Sequence, residues 1–236
     1  MFRTIWAAIV AIVVTIPLAT TVMCIALLSS SSPWIDPVIR LWARLLLWGA
    51  GIKIRGDGIE RIDRNKRYIL IANHHSYFDI PCIFAAIPQP IRFMAKKSLF
   101  SIPIFGWAIG RAGFIPIDRK NRRTAVKSFD LAVNRIRKGN TIVIFPEEGR
   151  SREWAMRPFQ RGAFLLAIRS ELPILPLAID GTYDAFRAGA KRITPGVVTV
   201  RVGTPIETVG VSVRAKDSLG EQSRAQIEAL LAPRQA

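Results

Sequence analysis

The stretch Tyr68-Ile69-Leu70-Ile71-Ala72-Asn73-His74-His75-Ser76-Tyr77-Phe78-Asp79 passes from an unbroken apolar run into a polar one. Five apolar residues bounded by polar ones predict a short buried strand over Tyr68–Ala72. Ile80–Ala86 then predicts a helix. His74 and His75 are the chain's two histidines. An imidazole is the side chain best suited to take a proton near neutral pH, and it works best when a carboxylate holds its other ring nitrogen. Asp79 lies five residues after His74. On one continuous helix that spacing is an angular offset of about 140°, and the two side chains would not meet. They meet if His74 ends the strand and Asp79 opens the helix after a tight turn, where Ser76 or Asp79 can also cap the helix. By itself the pair is equally the pattern of an exposed loop histidine beside a capping aspartate. His75 has no metal-site context, since neither HExxH nor a Cys/His cluster is present.

Working outward, the same alternation continues. Strands are predicted over Tyr68–Ala72, Ile91–Ala95, Phe114–Ile117, Thr141–Phe145, Ile174–Ile179 and Val197–Val202. Helices are predicted over Ile80–Ala86, Leu99–Ile109, Arg122–Arg137 and Gly162–Ser170, with a weaker one over Leu219–Leu231. This order predicts an α/β fold: a mixed, largely parallel sheet flanked by helices, in a single domain over residues 52–236. In such sheets reactive groups gather where strands end. Asn73-His74, Pro146-Glu147-Glu148-Gly149-Arg150 and Asp118-Arg119 each follow a predicted strand.

The N-terminal residues 1–51 read differently. Ile5–Leu28 carries no charged residue and as a helix would span roughly 36 Å, enough for a bilayer core. It exceeds the h-region of a signal peptide, about 7–15 residues, and Ser29–Ser32 offers no A-x-A cleavage site. Trp34–Ile52 is an amphipathic segment with Arg40 and Arg44 four apart. It reads as an interfacial helix whose arginines reach lipid phosphates, or as a core helix of the following domain. With Pro17 inside the first segment, two shapes fit: one transmembrane helix, or a helical pair embedded in one leaflet. Arg40, Arg44, Lys53 and Arg55 put more positive charge after the apolar run than before it. That predicts a cell-membrane protein with its main domain on the cytoplasmic side.

Composition bounds the partners. The chain has 236 residues and a formal net charge of +17, from 34 Lys+Arg against 17 Asp+Glu. Residues 1–51 hold only +2 of this, so the rest is the basic part. So basic a surface seeks anionic lipid, phosphorylated substrates or nucleic acid. A recognisable nucleic-acid motif and interleaved aromatic platforms are missing from the sequence, so nucleic acid is not expected. Cys24 and Cys82 form no CxxC pair and read as small apolar residues.

Asn73-His74-x-x-x-x-Asp79 resembles the signature of the 1-acyl-sn-glycerol-3-phosphate acyltransferases (lysophosphatidate acyltransferases, PlsC-like). Three further blocks occur in that family's order: Gly113-Phe114-Ile115-Pro116-Ile117-Asp118-Arg119, Phe145-Pro146-Glu147-Glu148-Gly149-Arg150-Ser151 and Leu172-Pro173-Ile174-Leu175-Pro176-Leu177. Phe159-Gln160-Arg161-Gly162-Ala163 matches the segment between the last two. One block is a weak signal; four in order are strong. The departures are Glu148 where the family prefers glycine, Gly149 where it prefers threonine, His75 where glutamine is common, and Gln160 for a usual lysine. The resemblance implies acyl transfer from acyl-CoA or acyl carrier protein, as co-substrate, to the sn-2 hydroxyl of lysophosphatidic acid, with no cofactor and no metal. It makes His74 the general base and Asp79 its orienting partner. Arg119 and Arg150 become candidates for the acceptor phosphate, Glu147 a contact to glycerol hydroxyls or a positioning group, and Gly149 a shaper of the loop. Lys96, Lys97, Lys120, Arg122, Arg123, Lys127, Arg135, Arg137 and Lys138 are then available to anionic lipid or coenzyme A phosphates. The departures leave a second acceptor open, a lyso-ornithine lipid or lysophosphatidylglycerol. A non-enzymatic basic protein binding membrane or nucleic acid is the rival of another class.

Overall fold

In the computed structural model, residues 2–118, 122–137 and 139–231 are described, residues 122–127 and 137 by backbone alone. Two helices come first, α1 (Phe2–Leu28) and α2 (Ile35–Ala50). They are followed by β1 (Ile52–Asp57), β2 (Ile69–Ala72), α3 (Asp79–Ala86), β3 (Ile91–Lys96), α4 (Phe105–Arg111), β4 (Ile115–Ile117) and α5 (Arg122–Arg137). The chain continues with β5 (Thr141–Ile144), α6 (Gly162–Ser170), β6 (Ile174–Asp180), α7 (Thr182–Phe186), β7 (Gly196–Val202) and α8 (Lys216–Leu230). All six expected strands form. The sheet order is β1-β7-β6-β2-β5-β3-β4, parallel throughout except for the β6–β7 pair.

The central strands are buried on both faces, which is why they read as continuous Ile/Leu/Val runs. Alternate residues feed two apolar layers. Leu70, Ala72, Val143 and Leu175 pack toward the side that holds α1 to α4. Ile69, Ile71, Ile142, Ile144 and Ile174 pack toward the side that holds α6 and α8. A one-residue slip would exchange the layers, so the register is strongly specified.

Besides the five-residue helix α7, which was not expected, two elements differ from expectation. The helix expected over Leu99–Ile109 is a 3₁₀ turn, Lys97–Ser101, followed by α4, because Pro103 interrupts the run and Ile104 takes a positive φ of 63°. Strand β1 was not anticipated. Its alternation Ile52-Lys53-Ile54-Arg55 is short and polar on one side, as suits an edge strand.

Helix α2 is amphipathic as expected, but Arg40 does not reach outward. Its guanidinium donates to the carbonyls of Phe84, Ile87 and Gln89 at the C-terminal end of α3. Those carbonyls have no intrahelical donor, and a cation there also suits the helix dipole. One turn earlier Asp36 pairs with the buried Arg92 of β3, 2.6 Å from Nη1. Gly51 ends α2 in the left-handed conformation, φ 73°, and its N–H returns to the last turn. The reading of these arginines at lipid phosphates is therefore corrected for Arg40; Arg44 remains exposed.

Helix α1 lies along the same side. Near its start the Thr4 hydroxyl accepts from the Ile193 amide, and at its middle Thr15 accepts from the Trp42 indole. Near its end Met23 and Leu27 share a groove with Phe100, Trp107 and Arg111 of the α4 region. The opposite stripe, including Ile5, Ile9, Ile12, Val13 and Ile16, is exposed. By length and composition α1 is long and apolar enough to cross a membrane.

Arg40→Ala strips three carbonyls of their donor. The expected loss is about 2–3 kcal/mol, a fall of roughly 5–10 °C in the thermal midpoint for a chain of this size. Unfolding in detergent micelles followed by circular dichroism checks it.

Candidate active site

Strands β2 and β5 are parallel neighbours, so the segments leaving their C-terminal ends lie side by side. Asn73-His74 leaves one and Phe145-Pro146-Glu147 leaves the other. Asn73 fixes the first exit. Its side-chain amide bridges both backbone groups of Ile179 on β6, accepting from the N–H at 2.7 Å and donating to the carbonyl at 3.0 Å.

The chain then turns tightly and α3 begins at Asp79. One oxygen of that carboxylate, Oδ2, accepts three hydrogen bonds at 2.8 Å, from the His75 and Ser76 amides and from Nδ1 of His74. Asp79 is fully buried, while the His74 side chain keeps 15% exposure. Because an ionised carboxylate only accepts, Nδ1 carries the proton and the lone pair sits on Nε2. Nε2 has no hydrogen-bond partner among the described residues. The ring is stacked on Phe145, with centroids 4.0 Å apart and planes 12° apart. His74 is thus fixed in tautomer and in plane.

Glu147 reaches the same loop from β5. Its Oε1 accepts from the His74 N–H and its Oε2 from the Arg157 N–H, each at 2.7 Å. Burial pushes its carboxyl from an ordinary 4.5 to about 7; the two amide bonds oppose this, the Asp79 charge adds to it, and Arg224 opposes it. Both oxygens are thus occupied by backbone, which suits a clamp on the loop. Burial, and then the Asp79 charge, also push the Cys82 thiol well up, so it stays a neutral core group.

The Glu148–Arg150 turn comes next. Glu148 holds a positive φ of 54°, and Gly149 lies against Arg157. The Arg150 guanidinium sits over the Tyr77 ring, 3.3 Å from its centroid. Its Nη1 is buried without a hydrogen-bond partner among the described residues. The next amide, Ser151 N–H, donates to the His74 carbonyl at 2.8 Å. The structure therefore brings together His74, Asp79, Glu147, Gly149 and Arg150. Arg119, Lys120 and Lys138 lie outside the described residues, as do the side chains of Arg122, Arg123, Lys127 and Arg137. Phe145, Tyr77 and the Arg157 amide were not anticipated as site groups. The two aromatics sit within the motif blocks, where they are visible in sequence; a backbone amide leaves no sequence signal.

A sequence model of the family described as Acyltransferase matches residues 53–180. The chain belongs to the acyltransferase family. It is 36% identical over 166 residues to the 1-acyl-sn-glycerol-3-phosphate acyltransferase of Cocos nucifera, covering 70% of this chain and 53% of that one. It is 37% identical over 165 residues to the enzyme of the same name from Limnanthes douglasii, covering 70% and 58%. The chain thus matches a little over half the length of these relatives. The crystal structure of the 1-acyl-sn-glycerophosphate (LPA) acyltransferase PlsC from Thermotoga maritima has the same fold, with a TM-score of 0.81 at 24% identity over 97% of this chain and 95% of that one.

Two expectations follow from this geometry. Glu148→Gly relieves a left-handed backbone position and is expected to add about 1 kcal/mol to stability, read as a raised thermal midpoint. Glu147 binds its proton more tightly folded than unfolded. Between pH 4.5 and about 7 the unfolded chain has released that proton and the folded chain has not. The stabilisation belonging to the protonated form is therefore complete below 4.5 and lost as pH rises to about 7. Glu147→Gln cannot titrate. The stability of the parent relative to this variant should fall across that window and level off above it, as thermal melts at stepped pH will show.

Proposed function

We propose that this chain transfers an acyl group from a thioester, acyl-CoA or acyl carrier protein, to the sn-2 hydroxyl of lysophosphatidic acid, forming phosphatidic acid. The observation that carries the proposal is the 2.8 Å bond from His74 Nδ1 to Asp79, which leaves Nε2 as a base. A hydroxyl is a poor nucleophile. His74 Nε2 takes its proton as the oxygen attacks the thioester carbon, and Asp79 stabilises the imidazolium that forms. The C–O bond forms, the C–S bond breaks, and the departing sulfur takes the proton back as a thiol. No covalent enzyme intermediate is needed for that balance. General-base catalysis of this kind contributes about 10²–10⁴-fold, and positioning of the two substrates adds to it.

Arg150 is the acceptor's phosphate ligand in this reading. A guanidinium nitrogen buried without an acceptor is costly unless an anion completes it. Arg119 joins it by resemblance. Glu147 positions His74 through the backbone. The names of the curated relatives support lysophosphatidic acid as the acceptor.

Residues 1–51 are proposed as a membrane anchor, with residues 52–236 as the acyltransferase domain on the cytoplasmic side of the cell membrane. Contacts at the start, middle and end of α1 all run to the same body of protein. A helix held near both ends against the domain and at its middle against α2 suits embedding in one leaflet better than crossing both. Its exposed apolar stripe, with Trp34 and Trp48 of the α2 region and Trp107 of α4, faces away from the core.

The test follows thiol release from acyl-CoA and acyl carrier protein with a panel of lysolipids, with products identified by mass. Phosphatidic acid is the expected product. His74→Ala is expected to lose at least about 10³-fold in kcat while sedimenting with membranes like the parent. Near-parental turnover in that variant would overturn the mechanism, and a preference for another lysolipid would overturn the assigned acceptor.

A further inference from the structure

Residues 151–157 form no regular structure, and most of them are exposed, Arg152 and Arg157 included. Besides the Arg224 guanidinium on the Met156 and Arg157 carbonyls and the bonds of the Ser151 hydroxyl to Ala155 and Glu153, four ties set their shape. Ser151 N–H donates to the His74 carbonyl, and Arg157 N–H donates to Glu147. The Tyr183 hydroxyl donates to the Arg152 carbonyl at 3.3 Å. The fourth tie is to His75, a fully buried histidine that the proposed chemistry does not use.

Its protonation state follows from its neighbour. Asn73 accepts from Ile179 N–H through Oδ1, so its Nδ2 is the donor. That Nδ2 lies 3.1 Å from His75 Nδ1, which must therefore accept. The proton belongs on Nε2, which lies 3.0 Å from the Trp154 carbonyl and donates to it. The imidazole also stacks on the Trp154 indole, with planes 11° apart, and Tyr183 packs edge-on against both rings.

We infer that His75 is a positioning residue: as a neutral Nε2–H imidazole it holds residues 151–157 in place and thereby fixes Arg150 for the acceptor's anionic head group. The inference rests on the proposed role of Arg150. His75 acts on the loop and not on the reacting hydroxyl, so its loss should act on acceptor binding.

Four variants test it: His75→Phe, which keeps an aromatic ring but removes both hydrogen bonds; His75→Asn, whose shorter side chain keeps the Asn73 contact without reaching Trp154; His75→Gln, which offers an acceptor and a donor at similar reach; and Arg150→Ala. His75→Phe and His75→Asn are expected to raise KM for lysophosphatidic acid about tenfold, with kcat and the KM for acyl-CoA within about threefold. His75→Gln should restore the parental KM. Trypsin gives a readout free of catalysis: cleavage after Arg152, identified by fragment mass, should speed up about tenfold in the Phe and Asn variants and not in Gln. A normal acceptor KM and normal cleavage in the Phe and Asn variants would overturn the inference, as would a fall in kcat proportional to lost folded protein. If Arg150→Ala leaves the acceptor KM unchanged, the proposed phosphate site fails. If Arg150→Ala raises it while the His75 variants do not, the site stands and the role of His75 is overturned.

Discussion

A single carboxylate oxygen, Asp79 Oδ2, joins the backbone of the Asn73–Asp79 turn to the imidazole of His74. Two of its three hydrogen bonds come from the His75 and Ser76 amides and one from the His74 ring. The amides would otherwise be unpaired donors in a buried turn, at about 1–3 kcal/mol each. The fold therefore needs an acceptor oxygen where the proposed chemistry needs a carboxylate. The same atom ends the turn, starts α3 and selects the tautomer of His74. Asp79 also explains why the turn can be so short: five residues suffice to bring a strand end and a helix start within one hydrogen bond.

The rest of the structure serves that turn from several sides. Parallel pairing of β2 and β5 delivers Glu147 to the His74 amide, and β6 pins Asn73. Phe145 closes one face of the His74 ring. From the N-terminal side Arg40 holds the far end of α3, and the Asp36–Arg92 pair fastens α2 to β3. The two N-terminal helices and the Asn73–Asp79 turn are thus joined through an eight-residue helix, so in the proposed membrane-bound enzyme the depth at which α1 and α2 sit would also set the position of His74 relative to a lipid surface.

Much of this was legible in the chain. The alternation of apolar runs announced the strands, and the His74–Asp79 spacing was compatible with contact only if a strand ended and a helix began between them, which is how the structure is built. The parts that were not legible share a physical cause. Two arginines four apart on an amphipathic helix look alike whether they face lipid phosphates or a helix terminus, and the carbonyls that bind Arg40 lie more than forty residues away. Glu147 binds amide N–H groups, which every non-proline residue carries, so no pattern in side chains marks His74 or Arg157 as its partners. Strand β1 carries only Ile52 and Ile54 as large apolar residues, so it does not stand out. Pro103 is visible inside the expected helix, but the apolar periodicity around it is the stronger signal.

The most direct test of the central claim is the turnover number of Asp79→Asn. The amide oxygen can still accept from the His75 and Ser76 N–H groups, so the fold should survive, as circular dichroism would show. The amide cannot stabilise an imidazolium as a carboxylate does. The account predicts a parental spectrum with kcat reduced about 10³–10⁴-fold. A kcat within tenfold of the parent would contradict it.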